Sequence, residues 1–555
     1  MANRCVVTNI QWERVHLVMD VEFDEQVAGP CDFRLVSQEE TIQLLSAPGQ
    51  SNTEYTLRLN VTVAGGRHVI PDGRWLVVPY FGGEAQDPAV FDPANAAKLN
   101  DWTKIFPYAG GRSSFIVRFD LTEDVDNPTF LIRAKDFANE PSWGETKGKF
   151  LKKFKRWGVN HGVIPFAFQA IYRVFRIAQK FTRHPQKRIL LAAQHRMVIR
   201  DNLLMLRNKM YERGMDKEFD IRELTAWEFQ SLPNSIKNWL HNTWEFAQAD
   251  FIFVDDWSNF LGYTRTDEQQ KVIQVWHAGF GFKAVGLSRF GMHGSPRPDN
   301  PHRKYSYALV GSEGLRDQYA EMFGMEKANV LPTGVIRIDE LLDPGKIAHV
   351  KEEFAAKYPN LTGKRLILFA PTFRGATAGA AHYPFEWLDF QKFYDWCGDD
   401  TRILFKVHPY VTNRLTDYKT GTYHSFIPKE FSDRLVDMSD YLVTNDLLHV
   451  VDILITDYSS ICYEFSYLDK PMLFFAPDEE GYSVSRGFYG YREYVPGKIV
   501  ATSDELLAAL ESEDYETWRR DKYREQFCGP ADTHNADRAI DTVIYRKPLV
   551  LPQAR

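Results

Sequence analysis

Short runs of alternating apolar and polar residues fill the first 140 or so positions. Gly, Pro, Asn and Asp stand between the runs, and alternation with period two, broken by such residues, is typical of antiparallel strands. The runs are RCVVTNIQW, RVHLVMDVEF, CDFRLVS, EYTLRLNVTVAGG, RWLVVPYFGG, SSFIVRFDLT and TFLIRAKDF. They predict a β-sandwich-like accessory domain over residues 1–140, in which we find no recognisable catalytic group.

The pattern changes after residue 186, where apolar runs suited to buried strands alternate with helical segments. DNLLMLRNKMYERG is an amphipathic helix ending at Gly214, whereas DFIFVDD and KVIQVWHAGF are strands. Strands separated by helices predict parallel sheets built from βαβ units. We therefore expect an α/β chain with one parallel-sheet domain over 187–342 and a second over 343–545.

A basic segment, 141–186, connects the two regions, and residues 146–200 contain no Asp or Glu. The cations of residues 146–200 are Lys147, Lys149, Lys152, Lys153, Lys155, Arg156, Arg173, Arg176, Lys180, Arg183, Lys187, Arg188, Arg196 and Arg200. Aromatic and aliphatic residues lie among them, as in amphipathic helices that bind anionic lipid. A linker helix packed on the catalytic domains is the alternative. Because the formal net charge of the whole chain is -7, nucleic acid is the weakest of the three interpretations.

Composition is that of a globular protein, with 44% hydrophobic and 25% charged residues. The five cysteines show no metal-ligand spacing, which favours a reduced, cytoplasmic protein. The beginning of the sequence has no signal-peptide pattern, and no run of about 18 apolar residues follows. We expect neither secretion nor a membrane-spanning helix.

Polar side chains follow several predicted strands, where open parallel sheets bind their ligands. These residues are His277, Thr372, Arg374, His408, Asp457, Ser459 and Ser460. Together they predict a cleft for an anionic ligand that carries a diphosphate, with hydroxyls and amides at a helix start after Asp457. The alternative for Ser459 or Ser460 is an ordinary N-cap.

Two acidic pairs, Asp255-Asp256 and Asp399-Asp400, raise the question of a metal site. Neither pair has further ligands at metal-binding spacing, so we predict turn or solvent-exposed roles and no metal ligands. The sequence requires no cofactor. A divalent cation such as Mg²⁺ that neutralises the diphosphate is left open.

Several motifs resemble the CDP-glycerol glycerophosphotransferase family, the teichoic-acid and capsule polymerases and primases. In order, they are VIQVWHAGFGFKAVGLSR, PHRKYSYALVGSE, PTGVIRIDEL, LILFAPTFR, FKVHP and DILITDYSSICYEFSYLDKPMLFF. The resemblance covers roughly residues 187 to 540. VIRDNLLML resembles the family's DNP region only loosely, Ala278 replaces a common glycine, and Ile336 replaces a common proline.

The resemblance implies a GT-B-like pair of Rossmann-like domains and transfer of a polyol phosphate from a CDP-polyol to a hydroxyl of a lipid-linked or glycan acceptor, with release of CMP. It implies His277 as the base, because a neutral imidazole accepts a proton near neutral pH. His408, Arg374, Thr372, Ser459 and Ser460 would hold the donor phosphates. Further assignments are Asp457 to a histidine or the helix start, Glu464 to the ribose, and Lys283 and Arg289 to the acceptor.

Glycerol phosphate is the first expectation for the transferred group, with ribitol phosphate as the alternative. A GT-B glycosyltransferase using a nucleotide sugar in cell-envelope polysaccharide synthesis and a non-catalytic membrane or glycan-binding scaffold are the competing hypotheses. The resemblance also implies a peripheral position on the inner face of the cell membrane, which the basic segment would contact. A homo-oligomer is compatible with the sequence.

Overall fold

The computed structural model of the chain describes most, but not all, of its residues. The described residues are 3–27, 31–49, 51, 53–64, 68–91, 98–108, 113–122, 129–137, 163–182, 186–225, 236–280, 282–292, 295–375, 381–408, 411, 416–417, 422–423, 426–441 and 443–552. Lys147 to Arg156 of the basic segment, and also Arg183, lie outside them.

Two antiparallel sheets form the first part of the chain. One has the order β1-β2-β6-β5 and the other β4-β3-β7-β11-β10-β9, with β8 paired to β7. The strands are β1 Cys5–Glu13, β2 His16–Phe23, β3 Cys31–Val36, β4 Thr41–Gln43, β5 Leu45–Pro48, β6 Glu54–Asn60, β7 Gly73–Phe81, β8 Glu84–Ala85, β9 Lys104–Tyr108, β10 Ser113–Leu121 and β11 Phe130–Phe137, with helix α1 Lys98–Trp102 before β9. All seven predicted runs contain strands. Their inward residues, among them Phe33, Trp75 and Phe115, share one buried cluster.

A six-stranded parallel sheet follows, in the order β13-β12-β14-β15-β16-β17. Its strands are β12 Lys187–Ala193, β13 Phe219–Thr225, β14 Phe251–Val254, β15 Lys271–Gln274, β16 Tyr307–Leu309 and β17 Val330–Leu331. The helices from residue 163 to residue 357 are α2 Val163–Thr182, α3 Asp201–Glu212, α4 Ile236–Gln248, α5 Arg316–Phe323, α6 Ile338–Leu341 and α7 Pro344–Lys357. Of these, α7 packs on the second parallel unit, where its Lys346 pairs with Asp446 at 3.5 Å. The uninterrupted apolar strands are covered on both faces, as in other parallel sheets.

A second six-stranded parallel sheet has the order β22-β19-β18-β23-β24-β25. Its strands are β18 Arg365–Phe369, β19 Thr401–Phe405, β22 Leu435–Asp437, β23 Ile453–Thr456, β24 Met472–Phe475 and β25 Lys498–Val500, while β20 Thr416–Asp417 and β21 Thr422–Tyr423 pair separately. The helices are α8 Phe390–Cys397, α9 Thr444–Val450, α10 Ile461–Phe465, α11 Glu479–Arg486, α12 Tyr491–Tyr494, α13 Ser503–Ser512, α14 Trp518–Phe527 and α15 Asn535–Val543. The chain is thus a mixed α/β protein with several sheets.

Helix α15 departs from the predicted domain boundary. Residues 343–545 were expected to form one domain, but Ala539, Ile540 and Val543 of α15 pack into the apolar cluster of the first parallel sheet. Arg213 at the end of α3 pairs with Asp537 and Asp541 of α15, at 3.1 and 2.6 Å. Helical periodicity predicts an apolar stripe without specifying which sheet that stripe covers.

Helix α2 corrects part of the expectation for the basic segment. Arg176 is buried and its guanidinium binds Asp267 at 2.9 Å, so this cation faces protein. Arg188 likewise pairs with Asp220 and Glu245, at 2.8 and 3.0 Å. One face of α2 therefore packs on the first parallel unit, as the linker-helix alternative predicted.

Candidate functional site

Three neighbouring strands of the second parallel sheet, β19, β18 and β23, end in the loops that the sequence singled out. His408 follows β19, and its ring lies 5.0 Å from that of Phe373, which follows β18. Thr372 precedes Phe373 and is partly exposed, as are Ser459 and Ser460 after β23. The structure thus brings the predicted donor residues to one edge of one sheet.

Arg374 and Asp457 have structural roles that differ from the predicted ones. Both are buried, and Arg374 Nη1 donates to Asp457 Oδ2 at 2.7 Å, while its Nε and Nη2 donate to Asp478 at 2.8 and 2.7 Å. Burial alone would lower the pKa of Arg374, but the two carboxylates raise it above its ordinary value. Because these donors are occupied by carboxylates, direct phosphate binding by Arg374 is not supported.

Asp457 connects two of the loops rather than orienting a histidine. Its Oδ1 accepts hydrogen bonds from the backbone N–H of Thr372 at 2.8 Å and of Tyr458 at 2.5 Å. The loop after β18 is thereby held to the loop after β23. Ser459 Oγ accepts from Ile461 N at 3.4 Å just before α10, whose N-cap residue is Ser460. The Ser460 side chain makes no capping hydrogen bond, so neither serine acts as the side-chain cap that the alternative predicted.

His277 follows β15 of the first parallel sheet, with its side chain 39% exposed. Its Nδ1 lies 3.2 Å from the backbone oxygen of Asp255, and since a carbonyl can only accept, this contact assigns the proton to Nδ1. Nε2 is then the basic nitrogen. Burial lowers the pKa of His277 below its ordinary value, while Asp256, whose Oδ1 is 3.7 Å from Nδ1, opposes that shift. A neutral imidazole with a basic Nε2 can accept a proton.

The backbone before His277 is strained. Trp276 has φ of +52°, in the left-handed region that a bulky side chain rarely adopts. Buried side chains hold it there: Gln274 Oε1 accepts from Trp276 N at 2.8 Å, and Asn202 Nδ2 donates to Trp276 O at 2.6 Å. Strained residues persist where the surroundings fix them, and they concentrate at functional sites.

Two further side chains bind the turn that bears His277, here called the base turn, residues 275–279. Arg337 Nη1 donates to His277 O at 2.7 Å, and the Tyr319 hydroxyl donates to Ala278 O at 3.0 Å and also to Gly279 O. These contacts fix the carbonyls of His277, Ala278 and Gly279.

Glu464 connects this turn to the second parallel unit. It is buried on α10, and its carboxylate forms an ion pair with Arg337. Burial raises the pKa of Glu464, while Arg337 opposes the rise. The predicted contact with ribose hydroxyls is therefore not supported, because this carboxylate is enclosed in protein.

Gly279 and Lys283 provide further contacts between the two units. A Cβ at position 279 would overlap the ring of Tyr463 on α10, so only glycine allows this approach. Lys283 Nζ lies 3.5 Å from Thr372 Oγ1. Lys283, predicted on the acceptor side, therefore reaches a donor loop, whereas Arg289 ends a 3-10 turn beside Phe290, which packs into the N-terminal core.

Comparison of the sequence with known protein families identifies the family of this chain. The profile of the CDP-Glycerol:Poly(glycerophosphate) glycerophosphotransferase family matches residues 174–545, well over half of the chain. The chain belongs to this family. It is therefore an enzyme of the glycerophosphotransferase type, as the sequence motifs indicated.

Curated relatives of this glycerophosphotransferase-family chain extend the match. The teichoic acid ribitol-phosphate polymerase TarL of Staphylococcus aureus is 31% identical over 93% of this chain and 94% of its own length. The teichoic acid poly(ribitol-phosphate) polymerase of Bacillus spizizenii is 32% identical over 81% of this chain and 68% of its own. Among solved structures, the wall teichoic acid polymerase TagF has the same fold, with a TM-score of 0.53 and 18% identity over 72% of this chain and 98% of that one.

Asp255 differs from the solvent-exposed or turn role predicted for the acidic pairs. It is buried, with Oδ2 3.9 Å from Arg196 Nε. Burial raises the pKa of Asp255 to about 6. Among the described residues, no group of three or more His, Cys, Asp or Glu side chains is arranged to hold a metal ion.

The residues that hold the base turn were missed by sequence reasoning, although three of them lie in motifs noted above. Gln274 belongs to VIQVWHAGFGFKAVGLSR, Arg337 to PTGVIRIDEL and Asn202 to VIRDNLLML. Membership of a motif was therefore the available signal for all three. Tyr319, and Asp478 beside Arg374, carry no signal that separates them from ordinary core or surface residues.

Proposed function

We propose that this enzyme transfers a polyol phosphate from a CDP-polyol to a hydroxyl of a teichoic acid acceptor and releases CMP. One observation carries the proposal: the turn that presents His277 packs through Gly279 on Tyr463, in the helix that follows Ser459 and Ser460. The turn that bears the candidate base of one parallel unit thus contacts the helix after the predicted donor loop of the other, in the GT-B-like arrangement that we propose for the pair.

In the proposed reaction, His277 Nε2 accepts the proton of the acceptor hydroxyl as its oxygen forms a bond to the polyol-bearing phosphorus. The bond from that phosphorus to the bridging oxygen breaks, and CMP leaves with the electron pair. His408, Thr372 and the Ser459–Ser460 loop remain the residues proposed to hold the donor phosphates. Lys283, beside Thr372, joins them as the cation best placed to offset charge on the leaving group.

Ribitol is the proposed polyol, in place of the glycerol expected first from the sequence. The two relatives described above are named as ribitol-phosphate polymerases, and TarL matches this chain over nearly its whole length. The acceptor is proposed to be a lipid-linked chain that already carries polyol phosphate.

Release of CMP from CDP-ribitol and from CDP-glycerol, each with a lipid-linked acceptor, tests the activity. We expect CDP-ribitol to be preferred by about tenfold or more, since a site built to pair extra hydroxyls discriminates against a shorter polyol. His277→Ala should lower kcat about 10²-fold or more with donor binding kept, as expected for loss of a general base. His349→Ala, at an exposed histidine on α7, is the matched control.

No CMP release from either donor would refute the activity, and wild-type turnover by His277→Ala would refute the role of this residue. Preference for CDP-glycerol would leave the activity standing and remove ribitol. Protection from thermal unfolding by UDP instead of CMP would favour the nucleotide-sugar alternative.

We further propose that α2 contacts an anionic membrane surface, with the enzyme peripheral on its cytoplasmic side. The helix exposes a stripe of apolar side chains, Phe166, Val174, Ile177 and Phe181, opposite the face that binds the first parallel unit. Their spacing follows the helical repeat, and Arg173 is exposed beside them. No helix of the described residues is long and apolar enough to cross a bilayer.

The N-terminal antiparallel sheets are proposed to form a β-sandwich with an accessory role. Their shared apolar cluster supports this architecture.

A further inference from the structure

Four side chains form hydrogen bonds to the backbone of the base turn. Gln274, Asn202, Arg337 and Tyr319 each bind a backbone N–H or carbonyl of this turn, and they belong to different segments of the first parallel unit. A glutamine, an asparagine, an arginine and a tyrosine therefore fix the backbone from which His277 projects. Among these residues, Arg337 alone also forms an ion pair with the second parallel unit.

Arg337 occupies the centre of a continuous chain of contacts. Its backbone N–H donates to Asn202 Oδ1 at 2.8 Å, and Asn202 Nδ2 donates to Trp276 O. Its side chain donates to His277 O at 2.7 Å and pairs with Glu464. One residue thus touches the base turn directly, touches its buried support, and contacts the other unit.

Glu464 lies on the short helix that begins directly after Ser459 and Ser460. Its side chain is 2% exposed and that of Arg337 is 13% exposed, so the pair is sheltered from solvent. Separating the two partners of a buried ion pair leaves uncompensated charge in the protein interior, which is strongly destabilising. The pair therefore holds its two partners in one geometry. A shift of α10 would therefore be transmitted through this pair to the carbonyl of His277.

We propose that Arg337 is a positioning residue that sets the place of His277 relative to the donor loop, with Glu464 as its anchor in the other unit. This inference rests on the proposed function. The residue touches neither donor nor acceptor in this assignment. Its effect is to keep the base within reach of the acceptor hydroxyl when the donor is bound across the cleft, because small displacements of a base cost a large part of the rate.

The charge of Arg337 should affect the pH dependence of kcat, which a purely structural residue would leave unchanged. The groups that act on His277 are the backbone carbonyl of Asp255 and the carboxylate of Asp256 after β14, Arg196 after β12, and Arg337, which is paired with Glu464. The Arg337 cation lowers the pKa of His277, in addition to the larger effect of burial. Removing that cation should move the acid limb of the kcat profile to higher pH, since His277 must be neutral to accept a proton.

The test compares Arg337→Gln, Arg337→Lys and Glu464→Gln with wild type, using CDP-ribitol, CDP-glycerol and the same acceptor. We expect kcat to fall on the order of 10²-fold in Arg337→Gln and in Glu464→Gln, while the Kd of CDP-ribitol changes by less than about threefold. The acid limb should move to higher pH in Arg337→Gln. In Arg337→Lys, which keeps the cation, the limb should stay in place.

Arg213→Gln is the matched control, because it also breaks a partly buried ion pair between distant segments but lies away from the base turn. Its kcat should remain within about twofold of wild type. If Arg337→Gln fails to fold, Glu464→Gln carries the comparison.

A folded Arg337→Gln or Glu464→Gln enzyme with kcat within about threefold of wild type would overturn the inference. Equal losses of kcat and donor binding, with an unmoved acid limb, would also overturn it and indicate general damage to the fold. Absence of CMP release by the wild-type enzyme is a different result, because it would refute the proposed function itself.

Discussion

Asp255 is a buried carboxylate beside the candidate base, and its Oδ2 has no hydrogen-bond partner among the described residues. Burial raises its pKa to about 6, above the ordinary value of about 3.9 for Asp. The folded protein therefore holds this proton more tightly than the unfolded chain does. Stability must then fall as the pH rises through this interval, and the loss is complete above pH 6.

Asp255→Asn should remove this loss. We expect the variant to be more stable than wild type at pH 7.5, by on the order of 1 to 3 kcal/mol, and of similar stability near pH 4. Denaturant unfolding at the two pH values measures the difference. Asp256→Asn, at a neighbour whose side chain is 38% exposed, is the control and should show no comparable gain. Equal effects of Asp255→Asn at both pH values would contradict the assignment.

Single residues show where sequence reasoning reaches its limit. The positions of His277, His408, Thr372 and Ser459 at strand ends follow from the βαβ pattern, because the strand order brings those ends to common edges. Burial does not follow from the same pattern. Arg374 and Glu464 were predicted to meet a ligand, but their partners Asp478 and Arg337 lie 104 and 127 positions away in the chain. Pairs so distant in sequence leave no periodic signal.

Secondary-structure elements were easier to predict than tertiary contacts. Helix α2 was predicted, whereas the contacts by which it docks were not. Its apolar spacing gave the helix, while its docking through Tyr172 and Arg176 depends on Gln270 and Asp267, far along the chain. The uncovered stripe of α2 is what distinguishes it from an ordinary linker helix. Large apolar side chains grouped on one exposed face often mark an interaction site.

Replacing the stripe of α2 by serine tests the proposed membrane contact. The variant Phe166→Ser/Val174→Ser/Ile177→Ser/Phe181→Ser should lose binding to vesicles of anionic phospholipid, because it loses the apolar face that enters the interface. Co-sedimentation with anionic and with zwitterionic vesicles, at low and high salt, measures the effect. Wild-type binding should prefer anionic vesicles and weaken with salt.

Leu45→Ser provides the control for this experiment, since Leu45 is as exposed as Phe166 but belongs to strand β5 of the N-terminal sheets. It should bind vesicles as wild type does. Equal sedimentation of wild type with both kinds of vesicle, or full binding by the α2 variant, would contradict the proposal.

At the scale of the whole molecule, Glu321 joins three parts of the chain. Its buried carboxylate on α5 accepts from Arg14 Nε at 2.9 Å and from the Tyr489 hydroxyl at 3.0 Å, with His16 Nδ1 at 3.1 Å. Arg14 and His16 belong to the N-terminal sheets and Tyr489 to the second parallel unit. The N-terminal part is therefore fixed to both parallel units through one carboxylate.

Glu321→Gln should destabilise the protein by on the order of 2 kcal/mol at pH 7, because Arg14 loses its charged partner. Burial raises the pKa of Glu321, but His16 and Arg14 together lower it by more, so the pKa lies below its ordinary value. The stabilisation is complete above the ordinary Glu pKa and is lost as the pH falls through the lower, folded value. The difference between variant and wild type should therefore shrink at acidic pH, as followed by thermal unfolding between pH 3.5 and 7.5.

Glu13→Gln breaks the exposed pair between Glu13 and Arg58 and serves as the control. Its effect should stay below about 1 kcal/mol. A pH-independent difference for Glu321→Gln would show that the carboxylate contributes by shape rather than by charge.

The return of α15 to the first parallel sheet affects biosynthesis. The last strand of that sheet ends at Leu331, but Ile540 and Val543 reach its apolar surface only after more than two hundred further residues have been translated. At ordinary elongation rates the nascent sheet would wait roughly 10 to 40 s with that surface uncovered. We therefore expect ribosome-associated chaperones to bind this surface during synthesis. The first parallel unit can complete its folding only after α15 has been translated.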